Sequence, residues 1–185
     1  MVSKLISLRN WWESLDDNWQ ELIMDQLELN GCFSEADIEF VLTLTELDCS
    51  GTAITDLAPV AALTQLQSID ISRTKVSDLT PLLQLPHLRE LHASFCTSFD
   101  LSVLERMPQL EILDISYPRA LAARLPDLSF MANLRELYCN ACGQTSVIPF
   151  ITASRLEVVC AFFNPISREE VDAYREITPG SRLLI

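Results

Sequence analysis

The sequence predicts an α/β solenoid: one body made by stacking short, near-identical units. Three observations carry that prediction. Residues 44–63, LTELDCSGTAITDLAPVAAL, are restated from residue 66 as LQSIDISRTKVSDLTPLLQL. The restatement recurs at an almost fixed step along the chain. Within it the large apolar residues stay in place while their neighbours change.

Composition sets the bounds. The chain has 185 residues, 49% of them hydrophobic and 21% charged, which suits one globular domain with a sizeable core. A net charge of −13 and a pI near 4.4 speak against nucleic-acid or anionic-membrane binding and favour a basic or neutral partner. The opening MVSKLISLRNWWESLDD has too short an apolar run for a signal peptide. No later stretch approaches the ~18 uninterrupted apolar residues of a membrane span. These features predict a cytoplasmic protein.

Aligned on its first leucine, the unit starts at Leu44, Leu66, Leu88, Leu110, Leu134 and Leu156, in steps of 22, 22, 22, 24 and 22 residues. Each copy spells L-x-x-L-x-L: Leu44/Leu47/Cys49, Leu66/Ile69/Ile71, Leu88/Leu91/Ala93, Leu110/Leu113/Ile115, Leu134/Leu137/Cys139 and Leu156/Val159/Ala161. The period-2 alternation inside the motif predicts a short strand with its apolar side chains turned inward. No copy can bury that face alone, so the copies stack and their strands pair in parallel. Strands are expected over 46–50, 68–72, 90–94, 112–116, 136–140 and 158–162. The segments that follow, such as ITDLAPVAAL, return along the outside, where Leu57, Leu63, Leu79 and Leu85 face the same core. Pro59, Pro81 and Pro149 suit an irregular or 3₁₀ return.

This period and spelling resemble the leucine-rich repeat, over roughly residues 42–166. The closest copies, one and two, are similar to the 22-residue repeats of bacterial internalin-like proteins and of a protein-phosphatase regulator. The resemblance implies a right-handed solenoid of six copies, its parallel sheet on the concave face and an irregular or 3₁₀ convex side. Copy three departs at SFCTSFDLSVL. Copy four carries two extra residues around SYPRALAARLPDL and is expected to bulge or loop outward. Copy five loses the apolar residue after CNACGQ.

A solenoid needs covers for its ends. Residues 1–43 read as an N-terminal helical cap. Leu15, Trp19, Leu22, Ile23 and Leu27 share one face of a helix over 14–29, with Gly31 as its stop. Ser34 to Asp37 then forms a capping box that opens a second helix with Ile38, Val41 and Leu42 inward. After the repeats (residues 44–166), residues 167–185 form the C-terminal cap. Ser167 to Glu170 opens a helix with Val171, Tyr174 and Ile177 on one face, TPG closes it, and 182–185 add a last strand. Cap, repeats and cap are expected to form one structural unit, similar to internalins in its flanks.

Chemistry-bearing residues are mostly absorbed by the repeat. Cys139 and Cys142 spell C-x-x-C, a pattern that elsewhere carries zinc or redox work. Here Cys139 takes the column of Ile71 and Ile115, and Cys142 that of Thr52 and Asn164. Six reduced cysteines suit a reducing compartment. Thr52, Thr74, Cys96, Cys142 and Asn164 form a column expected to satisfy backbone groups along the turns. His87 sits on a loop between copies. No nucleophile–base set and no phosphate loop emerge, so no enzyme, cofactor or metal is expected.

The variable positions point to recognition. On the outward side of the strands one column reads Glu46, Ser68, Glu90, Ile112, Glu136, Val158. The next reads Asp48, Asp70, His92, Asp114, Tyr138, Cys160, and a third Ser50, Ser72, Ser94, Ser116, Asn140, Phe162. The first four copies thus present an acidic, serine-lined surface and the last two an aromatic and aliphatic one. The reading is a protein-interaction scaffold or adaptor. Its candidate contacts are Glu46, Asp48, Asp70, Glu90, His92, Asp114, Tyr138, Val158 and Phe162, and its partner is a protein with a basic segment. The edge carrying Phe95, Tyr117 and Phe163 is the alternative surface. Two other functions stay open: a regulatory subunit of an enzyme such as a phosphatase, and a thiol redox or metal protein through Cys139 and Cys142.

Overall fold

A computed structural model of the chain describes residues 9–28, 34–96, 100–118, 125 and 127–185. Seven short strands form one parallel sheet in chain order: β1 (Glu46–Asp48), β2 (Ser68–Asp70), β3 (Glu90–His92), β4 (Ile112–Asp114), β5 (Glu136–Tyr138), β6 (Val158–Cys160) and β7 (Arg182–Leu184). Register runs straight through the repeat. Leu47, Ile69, Leu91, Leu113, Leu137, Val159 and Leu183 are successive partners, and each is buried. One inward residue per strand is enough because the flanking motif positions, such as Leu66 and Ile71, are buried as well. Every copy covers the next, at roughly 1.5–3 kcal/mol for each large side chain removed from water.

The return segments of the first three copies, Ala58–Ala62, Thr80–Gln84 and Leu101–Arg106, are 3₁₀ helices, with a proline in the first turn of copies one and two and none in copy three. Each starts where an aspartate accepts from a backbone N–H two residues on: Asp56 from Ala58 (2.8 Å), Asp78 from Thr80 (2.8 Å), Asp100 from Ser102 (2.9 Å). Copy five differs from expectation. Its return is a short α-helix, α3 (Ile148–Thr152), which tolerates Pro149 because a first-turn proline has no intrahelical N–H to lose. The missing apolar residue there is Gln144, which takes the place of Ile54 and Val76 and is still buried. The expected outward loop of copy four falls mostly on residues 119–124 and 126, outside the described residues, as do 97–99 of copy three.

The N-terminal helix is shorter than the 14–29 expected. Residues 9–13 are helical, the chain turns at 14–15, and α1 spans Asp17–Gln26. Asp16 accepts from the Trp19 N–H at 3.0 Å and so starts α1 afresh, which splits the longer helix. Trp19 and Ile23 are buried, while Leu22 and Leu27 are half-buried. The Trp19 indole donates to the Asp56 carbonyl at 3.0 Å and that of Trp11 to Pro59 at 3.3 Å, fastening this end to the first return. Ser34 and Asp37 form the capping box of α2 (Glu35–Val41), which buries Ile38 and Val41 and leaves Leu42 half-buried. Gly31 lies outside the described residues.

At the other end α4 (Arg168–Ile177) starts at Ser167 and buries Val171 and Tyr174. Ile177 is instead 59% exposed. Tyr174 already fills the space beneath Phe150, edge to face at 6.3 Å, and ties the following turn through Ser181 at 2.7 Å. Residues 182–184 do pair with β6. A single apolar cluster runs from Leu15 and Trp19 through every copy to Tyr174 and Leu183.

Candidate functional site

The strands carry eight of the nine candidate contacts on one face, and the ninth, Phe162, lies in the turn just after β6. Register pairs Glu46 with Ser68, Asp48 with Asp70, Glu90 with Ile112, His92 with Asp114 and Tyr138 with Cys160. Glu46, Asp48 and Phe162 are exposed, and the other six are half-buried. The Tyr138 hydroxyl donates to Glu136 at 2.7 Å, a bond that pushes its pKa up to about 12. His92 lies 3.9 Å from Glu90. At the mouth of the strands Arg89 faces Glu111 at 3.6 Å and Arg135 faces Glu157 at 2.8 Å, so these two arginines are matched from within the chain.

Part of the acidic column serves the fold. Where a copy has an aspartate, that residue caps its own turn: Asp48 accepts from the Ser50 N–H (2.8 Å), Asp70 from Ser72 (2.7 Å) and Asp114 from Ser116 (2.9 Å). Where the aspartate is replaced by His92, Tyr138 or Cys160, the same N–H turns to the preceding copy. Ser94 then donates to the Ser72 hydroxyl (3.1 Å), Asn140 to the Ser116 hydroxyl (3.2 Å) and Phe162 to the Asn140 side-chain oxygen (2.9 Å). All six turn amides are satisfied, three from within and three by a neighbour. Glu46 and Glu90 carry no such duty and are the freer recognition groups.

The second expected column also behaves as a backbone ladder. Thr52 and Thr74 donate to carbonyls of their own copies, Cys49 (2.7 Å) and Ile71 (2.6 Å). The thiols of Cys96 and Cys142 reach back one copy, to Ile71 (3.0 Å) and Ile115 (3.3 Å). Asn164 does both, with Ala161 and Cys139 at 2.8 Å each. Burial pushes the Cys139 thiol well up and that of Cys142 up to about 12, so both are protonated near neutrality, the opposite of a nucleophilic or metal-binding thiolate. Among the described residues no group of three or more His, Cys, Asp or Glu is placed to hold a metal ion.

The alternative edge carries the expected Phe95, Tyr117 and Phe163, together with Arg73 and a left-handed backbone that sequence reasoning missed. Gly51, Arg73, Phe95, Tyr117, Ala141 and Phe163 occupy one position in the six copies, and all six have positive φ, between 54° and 70°. Glycine is at ease there; the other five are not, at roughly 1–2 kcal/mol each. The conformation is pinned from copy to copy: Gly51 donates to the Ser72 carbonyl, Arg73 to Ser94, Phe95 to Ser116, Tyr117 to Asn140 and Ala141 to Phe162, at 2.7–2.9 Å. The side chains therefore line up as a rail. The Arg73 guanidinium sits 5.4 Å over the Phe95 ring, and Phe95 stacks on Tyr117 at 4.8 Å with planes 5° apart. Tyr117 meets Phe163 at 6.4 Å across the small Ala141, and Phe162 flanks Phe163 at 6.4 Å. Stacking of about 0.5–1.5 kcal/mol per pair can offset strain at Phe95 and Tyr117. It does little for Phe163, which is 79% exposed. The one sequence signal for this position was Gly51, aligned with three aromatic residues.

Stacked coils of this spelling, with a strand on one side and a 3₁₀ or short helical return on the other, are the architecture of the leucine-rich repeat fold. A family model described as leucine rich repeats (2 copies) matches residues 43–84, the first two copies. A comparison with curated protein sequences finds no match. Among solved structures the chain is similar to an internalin of Listeria monocytogenes, inlF, with a TM-score of 0.66 and 21% identity, over 80% of this chain and 43% of that one. It is also similar to internalin C2 of the same organism, with a TM-score of 0.63 and 18% identity over 91% of this chain and 82% of that one. A third is the TLR13–ssRNA13 complex, with a TM-score of 0.60 and 21% identity over 77% and 21%. The chain thus spans less than half of the inlF structure. Among the described residues no helix is long and apolar enough to cross a membrane.

Proposed function

We propose that this protein is a protein-interaction module that holds a basic segment of its partner on the open face of the sheet. The observation that carries the reading is the register, which stacks Glu46, Asp48, Asp70, Glu90 and Asp114 in two adjacent columns beside Tyr138, Val158 and Phe162. Charge columns of one sign steer and orient a partner of the other sign. An aromatic patch at their end supplies the anchor that charge alone does not. The net charge of −13 favours a protein over a nucleic acid as the occupant.

The test uses substitutions that spare the turns. Asp48 and Asp70 cap their own copies, so Glu46→Lys with Glu90→Lys is the cleaner charge reversal. In crosslinking capture from host lysate, the partner recovered with the native chain should be lost with this variant at unchanged melting temperature. Phe162→Ala should speed its dissociation. Recovery of the same partner by both variants would remove the open face as the site.

A further inference from the structure

The rail of left-handed residues is a second, unassigned surface beside that face. Its backbone strain recurs in copies two to six, although Gly51 shows that the turn itself needs no side chain. Strain that persists because the surrounding bonds over-determine it points to a use for the groups it displays. The displayed groups are Arg73, Phe95, Tyr117 and Phe163, with Phe162 alongside, and Phe162 and Phe163 are 40% and 79% exposed. Two features define what fits. The coils repeat about every 4.8 Å, so the rail from Arg73 to Phe163 is about 19 Å long. A helix brings one face round about every 5.4 Å, close to one side-chain layer per coil, whereas an extended chain repeats its face about every 6.8 Å and falls out of step. The columns beside the rail are acidic, with Asp48, Asp70 and Asp114 three residues before it in their copies.

We propose that the rail docks the apolar stripe of a basic amphipathic helix of the partner protein, with the helix's lysine or arginine flank lying over the Asp48, Asp70 and Asp114 column. This rests on the protein-interaction reading and adds to it the form of the bound segment and a different anchor. At the near end, where Gly51 leaves no side chain, an open hollow lined by Ser50, Asp70, Ser72 and Arg73 receives the helix terminus.

The probe is a synthetic leucine–lysine helix about five turns long, with all leucines on one face, titrated into the full chain by fluorescence anisotropy. Its controls are the same composition scrambled to abolish the stripe and the same helix with glutamate for lysine. The helix should bind at least about tenfold more tightly than either control. Tyr117→Ala with Phe163→Ala should weaken it by roughly tenfold, and Phe163→Ala alone should weaken it at an unchanged melting temperature. Equal binding of the scrambled peptide overturns the proposal, as does native affinity in the double variant. If the rail variants bind normally while Glu46→Lys with Glu90→Lys abolishes binding, the rail is overturned and the open-face reading stands. If neither set matters, both fall.

Discussion

Copies one, two and four close their turns with their own Asp48, Asp70 and Asp114, whereas copies three, five and six borrow from the copy before. The difference is one of coupling. A self-capped turn survives damage next door, while a borrowed cap passes damage one coil toward the C-terminus. A repeat protein that looks uniform in its apolar positions is thus uneven in how its coils depend on one another. The borrowing copies are also those that freed a strand position for His92, Tyr138 or Cys160, so variety on the open face is linked to dependence on a neighbour.

The largest break should come at the self-capped end, where the weak point is the cover. Trp19→Ala removes a buried ring and its bond to the Asp56 carbonyl. We expect about 3–5 kcal/mol of lost stability. Hydrogen exchange should rise first at Ser50 and Ser72 and last at Asn140 and Phe162; a uniform rise would mean that the coils are not graded in this way.

Next comes the direct contrast. Ser116→Ala removes the acceptor of both the Asn140 N–H and its side-chain amide, at 3.2 and 3.1 Å. The expected loss is about 1–3 kcal/mol, with faster exchange at Asn140 in the following copy. Asp48→Ala should cost less, about 0.5–1.5 kcal/mol, because it unties only Ser50 and relieves the stacked charge of Asp70. Exchange that rises at the mutated copy in both variants would abolish the distinction.

Ala141→Gly isolates the strain shared by both kinds of copy, since Ala141 has φ 54° and no ring to lose. Relief of the left-handed strain outweighs glycine's greater chain entropy by about 0.5 kcal/mol, a rise of one or two degrees in Tm. A lower Tm would show that the conformation is not strained.

The smallest effect is on acidity. Hydrogen bonds from Thr80, Ser102 and Ser129 hold Asp78, Asp100 and Asp127 below the ordinary value of 3.8. A carboxyl with a lowered folded pKa lends stability above its unfolded value, and that stability is lost as pH falls through the folded one. Tm should therefore decline below pH 3.8, and Asp78→Asn, which keeps an acceptor, should flatten the decline.

Much of the architecture follows from spacing alone. A strand's inward face has period 2 and a coil closes in about one repeat length, so Leu47, Ile69 and Leu91 had to stack and the columns of the open face had to align. The helix starts were legible because the Ser34–Asp37 capping box, and the Ser167 side chain that accepts from the Glu170 N–H, act over three residues. What tertiary structure decided lies where a residue's partner is one copy away. The Ser72, Ser116 and Asn140 caps, and the Arg73–Phe95–Tyr117 rail, join residues 22 or more apart whose contact depends on coil spacing and on a backbone bend that no single copy states. Ile177 and the split of the N-terminal helix were decided in the same way, by what Tyr174 and Asp16 had already filled or capped. Local periodicity sets the elements; the distance between coils sets which side chains meet.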